Sequence, residues 1–290
     1  MQKALKILSP YLFLLPASLI LIVFFFYPLI DIFYLSLTKY SIVNEPIFIG
    51  LKNFQKLYND PIFWKALKNS IIFLIGAVPP LVIIPIFLAV LINNTIKGIS
   101  FFRALFYLPS IISIVVIGIA WKWIYSENGP LNYILNLLHI TNDKLLWLSN
   151  PNLALFSVII VTVWRGLGYY MIIYLAGLQS IPKDLYESCE IDGGGFLAKH
   201  LNITIPLLKP SIVFVAVVSS INALKVFVEI YVLTGGGPAY NSTTLVQYIY
   251  EKAFQSLELG YACALGVVLF VITFVFSMVN VKIIERNWQV

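Results

Sequence analysis

The chain reads as an all-α polytopic membrane protein with six transmembrane helices. Three observations predict this. Of 290 residues, 60% are hydrophobic and only 11% charged, against roughly 45–50% and about 25% in soluble domains. Six runs of about 20 residues carry almost no charge, which is the length needed to cross the hydrocarbon of a bilayer. Polar, turn-forming segments separate those runs. The formal charge of +6 fits lysine-bearing loops on a membrane protein, and nucleic-acid binding is a poor reading of it. Cys189 and Cys263 form no CxxC pair, and His139 and His200 stand alone, so neither a disulfide framework nor a metal site is expected. No nucleophile–base constellation stands out, so no catalytic residue is expected and an intramembrane enzyme is disfavoured.

The spans are predicted in order at about 10–37, 69–92, 104–125, 153–178, 211–233 and 260–284, and residues 1–290 are read as a single membrane domain. The basic start, MQKALKILSP, leads into an apolar run that continues to about Ile30 with no small-residue cleavage pattern. It reads as a retained first span and not as a signal peptide. Pro79, Pro80 and Pro85 fall inside the second span and should kink it. In 38–68, Leu51, Phe54, Leu57 and Tyr58 recur at helical spacing, which predicts an amphipathic helix at the membrane interface. Residues 126–152 are long and turn-rich. "TGGGP" at 234–238 predicts a sharp non-helical stop. Lysine and arginine divide almost evenly between the two sets of loops, so the positive-inside rule does not orient the chain.

One segment breaks the apolar pattern: "LYESCEIDGGGFLAKHLNITIPLLKP", residues 185–210. Pro182 can start a helix, and Ser180 can cap it. Asp184 and Glu187 then fall near its start, where the helix dipole favours negative charge. Leu185, Cys189 and Asp192 share one face, and Tyr186 and Glu190 another. Gly193, Gly194 and Gly195 end the helix, because glycine accepts the positive φ of a sharp reversal. The residues leave two readings open, a solvated connection or a docking element for a soluble partner.

This segment resembles the EAA loop of ABC importer permeases, E-A-A-x-x-x-D-G-A-x(n)-I-x-L-P. Glu187 matches the leading glutamate, Asp192 and Gly193 the D-G, and Ile203 to Pro206 the I-x-L-P. Ser188 and Cys189 replace the two alanines, and Gly194 the third, small residue for small. "IPKDLYE", "VLTGGGPAYNSTTLVQYIYEKAF", "FLLPASLILIVFFFYPLI" and "IGLKNFQKLYNDPIFWKALKNS" resemble the carbohydrate-uptake permeases more narrowly, over nearly the whole chain. The resemblance implies the type I importer permease fold, with loop 179–210 and both termini cytoplasmic and 38–68 outside. It implies that Leu185, Tyr186, Glu187, Ser188, Cys189, Asp192 and Gly193 form a coupling helix seated on a separate ATPase. His200 stands where the family often has an aromatic residue.

Charges inside spans are costly and mark functional or paired sites. Arg165 lies about 18 Å into its span and Lys225 about 21 Å into the next, at 1.5 Å per residue. Both fall near mid-membrane, and Glu229 is spaced to pair with Lys225. A water-filled pathway beside them would explain all three. Trp164, Tyr169, Tyr170, Ser219 and Asn222 lie close by in sequence. Rings that stack on sugar faces, with hydroxyls and amides that bond sugar hydroxyls, suit a polar uncharged ligand. The same aromatics also serve as ordinary packing between helices. The resemblance implies that Gly166, Tyr169 and Ser219 keep sugar-contact positions of the maltose-type members. Asn222 occupies a further one, and Ala223 and Val226 replace residues that can be asparagine.

Together these readings predict the permease subunit of an ATP-driven importer of a sugar or oligosaccharide, working by alternating access in the cytoplasmic membrane of a prokaryote. A phosphorylated polyol such as glycerol phosphate is the alternative substrate. A stand-alone secondary transporter leaves 185–210 without a purpose and lacks the expected internal repeat. The chain has no G-x-x-x-x-G-K-[ST] phosphate loop, so no cofactor is expected on it. ATP and Mg would belong to two partner ATPase subunits. The other expected partners are a second homologous permease forming a heterodimer, an extracytoplasmic solute-binding protein and membrane lipid, with no nucleic acid.

Overall fold

The structure, a computed structural model, describes residues 13–93, 98–141 and 143–286. The predicted start of the first span at residue 10, the basic residues Lys3 and Lys6 before it, and Lys97 lie outside the described residues. In chain order the elements are α1 (Phe13–Ser36), β1 (Thr38–Ser41), β2 (Asn44–Phe48), α2 (Lys52–Tyr58) and α3 (Pro61–Ile92). Then come α4 (Ile99–Ile111), α5 (Ile114–Ile124), α6 (Pro130–Leu137), α7 (Ala154–Gln179) and α8 (Lys183–Ile191). The last are α9 (Phe196–Leu207), α10 (Lys209–Leu224), α11 (Val228–Leu233), α12 (Leu245–Tyr250) and α13 (Leu259–Arg286).

Among the described residues, four helices are long and apolar enough to cross a membrane: α1, α3, α7 and α13. Two bent pairs meet the same test, α4 with α5 at 96° and α9 with α10 at 64°. Counting each pair as one crossing gives six. The helical class and six crossings therefore match the expectation, and three details differ. The second helix begins at Pro61, because proline suits a first helical turn and Phe63 and Ala66 are buried at helical spacing. The third span breaks where Ile112 and Ser113 take extended backbone, with ψ of 140° and 133°. The expected fifth span, 211–233, ends its first helix at Leu224 and restarts at Val228. Helix α3, in contrast, runs through Pro79, Pro80 and Pro85 without interruption.

Two compact units make up the chain, residues 1–61 with 248–272 and residues 62–247 with 273–290. In the first, α1 leaves nearly all its apolar side chains exposed, as a lipid-facing helix does. The β1–β2 hairpin pairs Thr38 with Phe48 and Lys39 with Ile47. Of the expected interfacial stripe, only Leu57 is buried in the protein, beside Asn53. Leu51 and Tyr58 are exposed, and Asn53 and Leu57 are buried. The Asn53 amide donates to the carbonyls of Ser36 and Thr38, both at 2.8 Å. Satisfying those carbonyls at the end of α1 decides which face turns inward. Gly260 touches the same corner. A side chain there would meet the Thr38 carbonyl oxygen at 2.1 Å. Asp60 Oδ2 accepts the hydroxyls of Tyr248 and Tyr261 at 2.5 and 2.6 Å. Burial first, then the hydrogen bond and charge of Asp60, hold the Tyr248 phenol far above the ordinary tyrosine range, so it stays a donor.

The core of the second unit is built on α3, α7, α10 and α11. Phe73, Ala77 and Leu81 recur every fourth residue on α3 and pack with Val158, Val161 and Met171 of α7. Helix α4 lies close on α7 at Gly168, where a side chain would sit 2.0 Å from the Phe106 carbonyl oxygen. The "TGGGP" stop is a turn, as expected, with Gly235 and Gly236 at φ +61° and +91°. It is fastened to α3. Asn69 donates to the Tyr240 and Thr243 carbonyls at 2.9 Å, and Lys65 to the Ala239 carbonyl at 2.7 Å. The turn-rich segment 126–152 contains α6, whose Asn132 amide donates to the Leu145 carbonyl and accepts from the Trp147 indole.

Candidate transport cavity and coupling element

A cavity of about 430 Å³ opens in the second unit, between α3, α7 and the α10–α11 break. From α7 it is lined by Arg165, Gly166 and Tyr169. From α10 and the break it receives Ser219, Asn222, Lys225 and Glu229. All seven sequence-named cavity candidates therefore come to one place. Trp164 does not line it and instead sets its ring against Trp121 at 5.5 Å.

Helical geometry explains the α7 side. Arg165, Gly166 and Tyr169 fall at i, i+1 and i+4, and one more turn back stands Thr162, which also lines the cavity. Thr162 was not named from the sequence, although the 3.6-residue period could have found it. Gly166 allows close packing, since a side chain there would lie 2.7 Å from Leu81. Tyr169 is 43% exposed and meets Tyr170 edge-on at 5.1 Å. Ser219 is buried, and its hydroxyl donates to the Ala216 carbonyl at 3.2 Å. It faces the cavity as an acceptor only.

The charges are arranged differently from the expectation. Glu229 does not pair with Lys225. Its Oε1 accepts from Arg165 Nη1 at 3.2 Å. The reason is the break. With residues 225–227 outside a helix, Lys225 and Glu229 no longer share the i, i+4 geometry of a continuous turn. Phe227, at φ −141° and ψ −58°, and Val228 also reach the cavity through this break. Neither carries a sequence signal, because the interruption contains no glycine or proline.

The segment expected to couple to an ATPase, α8 with the reversal after it, is a second construction in the same unit. Pro182, at ψ 134°, precedes α8, and no side chain caps it. Ser180 is not the cap, since its hydroxyl donates to the Gly177 carbonyl at 2.7 Å and closes α7. Leu185, Glu187, Ser188, Asp192 and Gly193 are exposed, and Cys189 is half-buried. Gly193 takes φ +78° and Gly194 donates to the Cys189 carbonyl at 2.7 Å, so the reversal has the expected glycine chemistry. Gly194 also abuts the Cys189 thiol. Tyr186 faces inward, with its hydroxyl 3.0 Å from Thr204 Oγ1. His200 Nδ1 meets the same oxygen at 2.9 Å, and its ring lies edge-on against Phe196 at 4.2 Å. Lys199 pairs with Glu190. These contacts fold α9 back onto α8 and place His200 in a polar cluster beneath α8.

Helices long and apolar enough for up to six crossings among the described residues, a cavity lined by charged and polar side chains in the second unit and a polar helix on a connecting loop define a polytopic transport subunit. Family comparison makes this specific. Residues 59–288 match the model for the binding-protein-dependent transport system inner membrane component. The chain belongs to this family and is a non-enzymatic permease subunit of the ABC importers. It is 37% identical over 283 residues to the probable ABC transporter permease protein YurN of Bacillus subtilis (strain 168), covering 96% of both. It is 34% identical to the arabinooligosaccharides transport system permease protein AraP of the same organism, covering 95% of this chain and 88% of that one. Among solved structures, it superposes on a chain of a bacterial alginate ABC transporter in complex with an alginate pentasaccharide-bound periplasmic protein. The TM-score is 0.87 at 26% identity, over 100% of this chain and 98% of that one.

Proposed function

We propose that this chain is the permease subunit of an ATP-driven importer that moves a sugar or oligosaccharide inward through the 430 Å³ cavity by alternating access. Relatives named for arabinooligosaccharide and alginate transport support the saccharide class. The observation that carries the reading is the continuity of α7. One uninterrupted helix, Ala154–Gln179, holds Arg165, Gly166 and Tyr169 at the cavity and leads through Pro182 into the exposed face of α8. In this reading Leu185, Glu187, Ser188 and Asp192 seat on an ATPase subunit, and the movement of that subunit on ATP binding is carried to the cavity.

The chain lies in the inner membrane with α8 and both termini in the cytoplasm and the β1–β2 hairpin outside. It works with a second permease, two ATPase subunits that hold ATP and Mg, and an extracytoplasmic binding protein that delivers the sugar. Binding-protein occupancy and ATPase activity are then reciprocally coupled. The test is uptake of labelled saccharide into proteoliposomes containing the whole complex. ATP-dependent uptake that also needs the binding protein is expected. Uptake by the permease without any ATPase would overturn the proposal.

A further inference from the structure

Resting on the saccharide reading above, the charge inventory of the cavity narrows the substrate. Two cations and one carboxylate line it. Arg165 and Glu229 neutralise each other at 3.2 Å. The Lys225 side chain has no hydrogen-bond or ion-pair partner among the described residues, and the residue is exposed where it lines the cavity. It stands at the C-terminal end of α10, where its own N–H closes onto the Ile221 and Asn222 carbonyls. A helix C-terminus offers roughly half a negative charge at most, so a net positive charge remains. Arg165 adds no further net charge but supplies an unmet donor, because its Nε is buried without an acceptor.

No side chain among the described residues satisfies the Lys225 ammonium, so in the open cavity that task falls to solvent. A saccharide that fills the cavity displaces that water. A neutral sugar returns hydroxyl contacts and no compensating charge, which leaves a cation inside the filled cavity underpaired and costly. A carboxylate returns both, through a charge-assisted hydrogen bond of about 2.8 Å. The remaining lining suits the rest of such a ligand. Tyr169 and Phe227 offer ring surface, and Ser219, with its proton engaged, offers an acceptor to a sugar hydroxyl. We infer that the cavity selects an acidic saccharide, one carrying a carboxylate such as a uronic acid, and that Lys225 is the specificity-determining residue that receives the carboxylate.

The experiment measures direct binding to the purified transporter, with its partner permease and ATPase but without binding protein, so that no other protein makes the selection. The probes are a uronic-acid disaccharide and its carboxyl-reduced neutral counterpart. The acid should bind roughly tenfold more tightly, the size of a hydrogen bond to a charged group, and the preference should weaken as salt is raised. Lys225→Gln should remove the preference by weakening the acid far more than the neutral probe, and Lys225→Arg should keep it. Equal binding of both probes to the wild type, with Lys225→Gln unchanged, would overturn the acidic selection and leave the saccharide site standing. Equal weakening of both probes by Lys225→Gln would assign Lys225 to assembly and overturn it also. Binding of neither probe, together with no saccharide uptake by the full complex, would overturn the saccharide reading and this inference with it.

Discussion

Arg165 of α7 and Glu229 of α11 form an ion pair at 3.2 Å that joins two helices across the wall of the cavity. Both side chains are largely withdrawn from solvent, 33% and 14% exposed. Removing one partner leaves the other charge short of a counter-ion, so Arg165→Met and Glu229→Gln should each lower stability by about 1–3 kcal/mol. The double variant should lose much less than the sum of the two. A double-mutant cycle on thermal unfolding of the solubilised complex measures this, and additive losses would show that the pair carries no coupling.

The exposed face of α8 gives a prediction about assembly. Glu187→Lys and Asp192→Lys should each reduce co-purification of the ATPase and reduce transport, with the chain still inserted in the membrane. Normal uptake by both variants would remove the coupling role from this helix.

Tyr186, Thr204 and His200 share one hydroxyl oxygen at 3.0 and 2.9 Å. Tyr186→Phe and Thr204→Val should cost about 0.5–1.5 kcal/mol each in stability. They should also loosen the tie between α8 and α9, so that ATP hydrolysis persists while transport per ATP falls. An unchanged ratio of transport to hydrolysis would reduce the cluster to local packing.

Tyr169 is exposed on the cavity wall and carries no load in the core. Tyr169→Ala should raise the KM for uptake several-fold, the loss expected when about 0.5–1.5 kcal/mol of aromatic contact is removed. The complex should still assemble. Unaltered uptake kinetics would place Tyr169 among the packing residues.

Gly168 should tolerate almost nothing larger. The carbonyl it faces is backbone and has little room to yield. Gly168→Ala should destabilise the α4–α7 contact by about 1–3 kcal/mol, seen as a lower unfolding temperature and poorer yield. A wild-type unfolding temperature would show that α4 can move aside.

Much of this architecture was legible because lipid imposes a simple demand, long apolar helices with every backbone group satisfied internally. The first, fourth and sixth helices lie within a few residues of their charge-free runs for that reason. The glycine reversal after α8 was legible too, since positive φ at Gly193 needs the chemistry that glycine alone supplies cheaply. The breaks at Ile112–Ser113 and Lys225–Phe227 were not legible. Neither contains a helix-breaking residue, so they arise from tertiary packing and overrule local propensity. The partner of Glu229 depended on the second of those breaks and was misread with it. The buried face of α2 followed from the reach of the Asn53 amide to carbonyls about 15 residues earlier, which no local period records.

The unbroken run of α7 has a mechanical consequence. From Arg165 to Gln179 the helix rises about 21 Å, so a tilt of about 10° pivoting at one end sweeps the other through about 4 Å. That displacement approaches the 5.4 Å pitch of a turn. A tilt that pivots at the α8 end therefore moves Arg165 by more than the 3.2 Å length of its contact with Glu229. Such a stroke either stretches the contact apart or carries α11 along as a single body.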